Sequence, residues 1–482
     1  MADTESPIAA ANRARIQKLQ SFRRTDAGNA EAFELLHGES FRFDHTKEKW
    51  LVWNDRYWIE DKDGEADRAA LETARERLSA AALIQHDDDR KAGIEWALAT
   101  ESVHRRRTML ISARSVKSLA TRTSDYDQDA FLLTVGNGTV DLRTGILREA
   151  RREDLITRAT DVIYDPSATA PRWGQFLNEV FGGESEIIGY VQRAVGYSLT
   201  GNTREQCFFL LCGSGANGKT TFLETIVKLL GTHASTAAFS AFLVQHNQGG
   251  PRNDLAALCG ARFVKAAEAE HKASLDESIM KQLTGEDTIS ARFLFHEGFE
   301  YRPQFKIWLA TNHKPAIWET SDAIWRRIKL IEFNQQFTGR RADLALRGKL
   351  EAELPGILAW AVQGCLAWQK FGLGEPQRIL RAILGYRQES DQIGRFVRER
   401  CDLQPDRRTY GKELYDDYVL WCGRVHEIPV ANNLFVNKLA ERGIDGIERK
   451  RAAGGVVYRG LGLLPITTPD ASASPARKEK GK

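Results

Sequence analysis

Residues 207–231 read CFFLLCGSGANGKTTFLETIVKLLG. An apolar run, Cys207–Leu211, leads into Gly213, Ser214, Gly215, Ala216, Asn217, Gly218, Lys219 and Thr220, with Thr221 behind them. This fits G-x-x-x-x-G-K-[ST] between a strand and a helix. The glycines let successive main-chain N–H groups turn inward around phosphate oxygens, and the start of the following helix adds favourable partial charge. Lys219 can reach the β- and γ-phosphates of a nucleotide, and the Thr220 hydroxyl can ligate Mg²⁺. Gly231 stops the helix. A glycine turn joining strand to helix would need none of this polar chemistry.

Downstream of this loop, Arg262–Ala267 is a short strand-like run that ends in two carboxylates, Glu268 and Glu270. A carboxylate beside a phosphate loop can hold Mg²⁺ and orient or deprotonate the attacking water. Phe305–Thr311 is a further strand, which delivers Asn312 at its end. Arg326 and Arg327 stand just before the strand-like run Lys329–Phe333.

The whole chain sets the frame for these motifs. Its 482 residues give a soft prior of about three domains. With 42% hydrophobic and 28% charged residues it can bury a core, which excludes a disordered or collagenous protein. Lys+Arg number 68 against 65 Asp+Glu, a net charge of +3, so only local patches can speak for nucleic acid. The six cysteines form no C-x-x-C, which argues against a zinc site and a disulfide framework. No apolar run approaches the ~18 residues of a membrane span, and the first residues do not read as a signal peptide. The expectation is a cytoplasmic α/β protein.

The strings GNGTVDLRTG, YDPSATAPRW, VGYSLTGNTREQCFFLLCGSGANGKTT, KQLTGEDTISARFLF and LATNHKPAI occur in that order. Together they resemble the superfamily 3 helicases of the AAA+ class, and most closely the helicase part of phage, plasmid and poxvirus-type primase–helicases. The resemblance runs from about residue 28 to 464 and is strongest over 130–335. Glu286 departs from the many relatives with a glycine there, and variation after Glu268 leaves Glu270 the less secure of the two carboxylates.

The resemblance implies a fold and a set of roles. The fold is an α/β AAA+ phosphate-loop core with a mixed α+β N-terminal region and a C-terminal winged-helix-like domain. Residues 213–221 bind ATP, Thr220 and Glu268 hold Mg²⁺, and Glu268, with or without Glu270, activates water. Asn312 is the sensor of the γ-phosphate, and Arg326 or Arg327 is a finger that completes a neighbouring subunit's site. A homo-hexameric ring follows, with single-stranded DNA in its channel and a forked duplex as substrate. The hairpin of about 290–302 faces that channel, with Arg292, His296 and Arg302 as DNA contacts.

The expected domains are an arm over 1–30, an α+β region over 31–125, a collar over 126–205 and the ATPase core over 206–335. A helical segment follows over 336–390, then a winged-helix-like domain over 391–465 and a basic tail over 466–482. In the winged region ANNLFVNKLAER (431–442) reads as a recognition helix, and Arg449, Lys450 and Arg451 as a phosphate-binding wing. A long helical stretch is expected over about 67–119. The aromatic group Trp50, Trp53, Tyr57 and Trp58 reads as hairpin core, and Arg105–Arg107 as a solvated helix face. With neither a zinc-binding cysteine set nor an acidic triad for nucleotidyl transfer, the chain is expected to unwind DNA, not to prime, with a primase or polymerase as a separate partner. Two alternatives stand beside this reading: a duplex translocase or origin-melting initiator, and a non-enzymatic ATP-stabilised DNA-binding ring.

Overall fold

The computed structural model describes residues 6–244, 252–267, 274–292, 298–318, 322–441, 447–452 and 455–465. The chain forms two compact units: Met1–Pro315 with Arg326–Leu380, and Ala316–Trp325 with Arg381–Lys482.

The first unit opens with helices α1 (Pro7–Ser21) and α2 (Asp26–His37). The expected arm is thus largely helical: Ser6 caps α1, and Leu19 buries itself with Ala32 and Ala80. Strands β1 (Phe41–Asp44), β2 (Lys49–Trp53) and β3 (Trp58–Glu60) form an antiparallel meander. The helical stretch expected over about 67–119 consists of three helices, α3 (Glu65–Ala82), α4 (Asp87–Thr100) and α5 (Val103–Ala113). Three aspartates fill the first turn of α4 and Ser102 caps α5, so each break carries its own helix-start signal. β4 (Ala120–Thr121) then joins β1 in parallel. Trp58 is fully buried and packs with Leu51 and Tyr126, so it serves as core as expected.

A second meander, β5 (Leu132–Val135), β6 (Gly138–Asp141) and β7 (Ile146–Arg148), leads to helices α6 (Pro171–Phe181) and α7 (Ser185–Leu199). The α/β core follows: β8 (Phe208–Cys212), α8 (Lys219–Leu230), β9 (Ala234–Ala238), α9 (Asn253–Ala256), β10 (Phe263–Ala267), α10 (Glu277–Thr284), the hairpin β11 (Ile289–Arg292) and β12 (Gly298–Tyr301), and β13 (Lys306–Thr311). After α11 (Asp322–Trp325) the chain returns as β14 (Ile328–Glu332). Five strands form one parallel sheet in the order β14-β8-β13-β10-β9. The near-continuous burial of β8, β13 and β14 is what strands covered on both faces require, while β9 is the exposed edge. The mixed α/β expectation therefore holds.

Helices α12 (Leu346–Ala352) and α13 (Leu354–Phe371) complete this unit. A Cβ built on Gly196 would meet the Cys365 main chain, and one on Gly364 the Gln192 carbonyl, so glycine is what allows α7 and α13 to touch backbone to backbone. At the end of the sheet away from the phosphate loop, buried Arg262 donates to the carbonyls of Leu199 and Leu132 at 2.9 and 2.8 Å. Buried Lys306 donates to the carbonyls of Thr200, Asn202 and Gln304. Two cations thus satisfy the carbonyls that end α7, where the helix dipole favours positive charge.

Helix α14 (Gln377–Ser390) carries the chain into the second unit. There α15 (Gln392–Arg400), β15 (Cys401–Asp402), β16 (Arg408–Tyr410), α16 (Gly411–Arg424), α17 (Asn432–Glu441), β17 (Glu448–Ala452), β18 (Gly455–Arg459) and β19 (Gly462–Leu463) enclose a core of Phe396, Leu414, Tyr418, Phe435 and Tyr458. The three-stranded sheet runs β16-β18-β17. Arg400 and Asp417 pair through two 3.0 Å bonds. Residues 316–325, expected within the ATPase core, belong here instead. Trp325 packs edge-on to Tyr386 at 5.2 Å, Arg387 pairs with Asp322 at 2.7 Å, and Lys438 donates to the Trp318 carbonyl. The tail over 466–482 lies outside the described residues.

Candidate nucleotide site

The phosphate-loop sequence leaves the carboxyl end of β8, which lies between β14 and β13 in the sheet. Three left-handed residues shape the turn: Gly213 (φ 156), Ala216 (φ 60) and Gly218 (φ 90). A Cβ on Gly213 would strike the Phe333 carbonyl at 2.3 Å, so only glycine fits there. Ala216 holds its left-handed backbone without that freedom, a cost of order 1 kcal/mol that functional loops often carry. Gly218 sits against Phe176 and Val180 of α6. Phe333 N–H donates to the Cys212 carbonyl and Phe337 N–H to the Ala216 carbonyl, both at 2.8 Å, so the chain after β14 braces the loop.

Lys219 begins α8 and is almost wholly buried. Its ammonium donates to the Gly213 carbonyl, to Asn217 Oδ1 at 3.2 Å and to Asn312 Oδ1 at 3.3 Å. Asn217 Nδ2 in turn donates to the Phe333 carbonyl at 3.2 Å. These three oxygens hold the ammonium at the mouth of the loop. Thr220 is exposed on the first turn of α8, where its hydroxyl is clear of the core and suits a hard cation. Ser214 Oγ accepts from Gln336 at 2.8 Å.

The sheet register levels the strand ends. Thr311 lies opposite Cys212, and Ala267 opposite Ala310, so β8, β10 and β13 finish at one edge. Asn312 is thereby brought to Lys219 across 93 positions of sequence. Glu268 and Glu270 follow the end of β10 but lie outside the described residues. Arg326 and Arg327 are at the opposite edge: Arg327 is buried, Arg326 is exposed, and the Phe208 amide donates to the Arg327 carbonyl. The structure does not bring these arginines to the subunit's own phosphate loop.

The candidate DNA contacts are scattered more widely than the sequence reading implies. The hairpin is present, with Ile289 opposite Tyr301 and Arg292 opposite Gly298. Arg292 therefore stands at the turn end, and Arg302 follows β12 at the base, away from the turn. His296 lies outside the described residues. On β17, Arg449 and Arg451 share one face while Lys450 is on the other and pairs with Glu448. Arg449, Lys450 and Arg451 therefore do not form one continuous basic patch. Arg105 is drawn over the Trp96 ring at 4.1 Å, so that run is only partly the solvated face expected.

Asn217 was expected within the ATP-binding loop, and its side chain adds a link from Lys219 to Phe333 that the motif does not announce. Two contributors escaped the sequence reading. Gln336 and Phe337 brace the loop with no motif to announce them. The Phe176–Val180 face of α6 was legible only as helix.

The D5 N-terminal-like family matches residues 30–182, and a family of unknown function, DUF5906, matches residues 211–327. A protein of Acanthamoeba polyphaga mimivirus that carries a provisional helicase name is 27% identical over 295 residues, covering 57% of this chain and 31% of its own length. One from Frog virus 3, similarly named, is 23% identical over 379 residues, covering 61% of this chain and 39% of its own length. These matches make the chain similar to viral proteins that carry helicase and primase names. The chain spans about a third of the length of the curated relatives it matches. An apo structure of the NrS-1 C-terminal region aligns with this chain at a TM-score of 0.49 and 10% identity, covering 89% of this chain and 99% of that one. Among its described residues no helix is long and apolar enough to cross a membrane.

Proposed function

We propose that this chain is the ATP-hydrolysing motor of a replicative DNA helicase that works as a ring. The observation that carries the reading is the division of one sheet into two edges. Lys219, the phosphate loop and Asn312 gather at the carboxyl edge of β8 and β13, and Arg326 and Arg327 stand at the other. A strand order with β8 between β14 and β13 supports an AAA+ core, because it puts a loop and a sensor on adjacent strands.

In this reading the main-chain amides of 213–221 cradle the phosphates and Lys219 neutralises the terminal ones. Mg²⁺, when bound, lowers the charge of the triphosphate and is held by Thr220 and Glu268. Glu268, with or without Glu270, takes the proton from the attacking water. Asn312 orients that water against the γ-phosphate. Neither Arg326 nor Arg327 stands near its own subunit's loop, so a neighbour supplies the finger, and the functional form is a ring, a hexamer by resemblance. DNA passes the β11–β12 hairpin, with Arg292 nearest its turn. The second unit supports a winged-helix assignment, since α15, β16, α16, α17 and the β17–β18 hairpin follow that element order. Names carried by the viral relatives, helicase and primase, accord with a replicative role.

The test is strand separation on a forked DNA duplex with ATP and Mg²⁺, beside single-molecule mass measurement of the assembly. ATP-dependent unwinding by a ring-sized species is the expected result. Steady ATP turnover without strand separation would move the protein to a translocase or a scaffold.

A further inference from the structure

A cavity of about 190 Å³ opens off the phosphate loop. One wall is α6, through Arg172 and Phe176; the floor is Gly218 and Thr221; the far wall is Phe337 and Leu346. Neither Lys219 nor Asn312 lines it. Those two side chains meet at 3.3 Å and mark where a terminal phosphate would lie. A nucleoside triphosphate is a chain with its base at the end remote from that phosphate. With the terminal phosphate at Lys219 and the phosphates wrapped by the loop, its base and ribose leave past Gly218 and Thr221, where the cavity begins.

The polar lining points the same way. Arg172 Nη2 is fixed by Glu179 at 3.3 Å and by Asp343 at 3.6 Å, so the guanidinium is already held in place. Its Nη1 is buried and has no hydrogen-bond partner among the described residues. An unmet buried donor is unfavourable until an acceptor arrives. Phe176 supplies an apolar wall, and Phe337 is anchored through its own N–H to the Ala216 carbonyl at 2.8 Å. Glu179, Arg341 and Asp343 also line the cleft, and its apolar side chains with the pre-oriented Arg172 donor suit a heteroaromatic ring carrying acceptor atoms.

We propose that this cavity is the base-and-ribose subsite of the nucleotide site and that Arg172 is its specificity-determining residue, donating from Nη1 to an acceptor of the base or sugar. This rests on the phosphate-loop reading above. Inorganic triphosphate shares the phosphates but has nothing to place in the cavity, so it separates the two ideas.

The experiment measures binding of ATP and of inorganic triphosphate to the full chain by calorimetry. The wild type should prefer ATP by at least about tenfold. Arg172→Gln should weaken ATP about tenfold and leave triphosphate unchanged, the loss of one charge-assisted hydrogen bond. Leu346→Trp, which fills the cavity while leaving the Arg172 guanidinium in place, should give the same pattern. Equal wild-type affinity for the two ligands, or variants in which ATP is unaffected or both ligands weaken together, would overturn the subsite. If neither ligand bound the wild type, the phosphate-loop reading would fall and take this proposal with it.

Discussion

The amide of Phe208 donates to the carbonyl of Arg327 at 2.9 Å, which fixes Arg327 at the amino end of β8. The phosphate loop leaves the carboxyl end of that strand. At ~3.3 Å per residue, Phe208–Cys212 separates them by about 13 Å, more than an arginine side chain spans. If either arginine serves hydrolysis, it serves another subunit's.

Alanine at the finger position should therefore leave ATP binding intact and slow hydrolysis by roughly 10³–10⁵. Arg326 is the exposed member of the pair and Arg327 the buried one, so Arg326→Ala should show the larger effect with the smaller loss of fold. Mixing that variant with Lys219→Ala should restore part of the ATPase, because some interfaces then join a sound loop to a sound finger. No rescue in mixed rings shown to form would place the arginines outside the trans role.

Lys219→Ala should abolish binding of a fluorescent ATP analogue and ATP turnover, with the circular dichroism spectrum unchanged. The ammonium's hydrogen bonds to Gly213, Asn217 and Asn312 go to a carbonyl and two amide oxygens in the loop and at the end of β13, not in the sheet core. Near-normal turnover would remove the loop from the mechanism.

Glu268→Gln should keep ATP bound and slow hydrolysis by at least ~10², the usual weight of a general base. Wild-type rates in that variant, measured by phosphate release, would transfer the role to Glu270.

Arg262→Leu should destabilise the first unit by about 3 kcal/mol, read from the urea midpoint, because it strips a buried donor from the carbonyls of Leu199 and Leu132 and leaves them in the core. Burial among those carbonyls already pulls the Arg262 guanidinium down to about 10. A midpoint close to wild type would show that water replaces the arginine.

Stability should fall as the pH drops below about 6.5. His233 is fully buried with no hydrogen-bond partner at either ring nitrogen among the described residues. Burial, and secondarily the positive charges of Arg262 and Arg158, hold its pKa well below 6.5. Half-buried His37 is shifted the same way, chiefly by burial. With folded pKa values depressed, the unfolded chain binds protons that the folded one refuses. The stabilising difference is present above the unfolded value and is lost on acidification. His233→Leu should flatten the pH dependence of the urea midpoint between about pH 7 and about pH 5, and an unchanged slope would assign the effect to other groups.

The phosphate loop was legible because its chemistry is local: Gly213 to Thr220, read consecutively, dictate a strand end, a turn and a helix start. Asn312 was legible as the residue that a buried strand delivers. Its contact with Lys219 depends on β13 lying beside β8, which no local pattern encodes. The brace of Gln336 and Phe337 was invisible for the same reason, since it acts through main-chain N–H and one amide. The helical stretch expected over about 67–119 is helical, and only its division into three was illegible, because an alanine-rich charged stretch masks short breaks whose helix-start signals are Asp87–Asp89 and Ser102. The wing's three cations looked continuous in sequence, but strand alternation separates Lys450 from its neighbours.

Between Pro315 and Arg326 the chain departs from the first unit and comes back, and the excursion buries Ile317, Ile324 and Trp325, with Tyr386, Arg387 and Lys438 as partners of the segment. Two peptide crossings, rather than one linker, therefore stitch the halves together, with α14 as the third pass. A chain cut near Leu380 would not be a self-contained first unit. It would carry the orphaned loop 316–325 with its apolar side chains open to aggregation, inserted midway between Asn312 and Arg327. The C-terminal half cannot be exchanged between relatives as a cassette with one junction; a working chimera needs a matched donor segment at 316–325 as well.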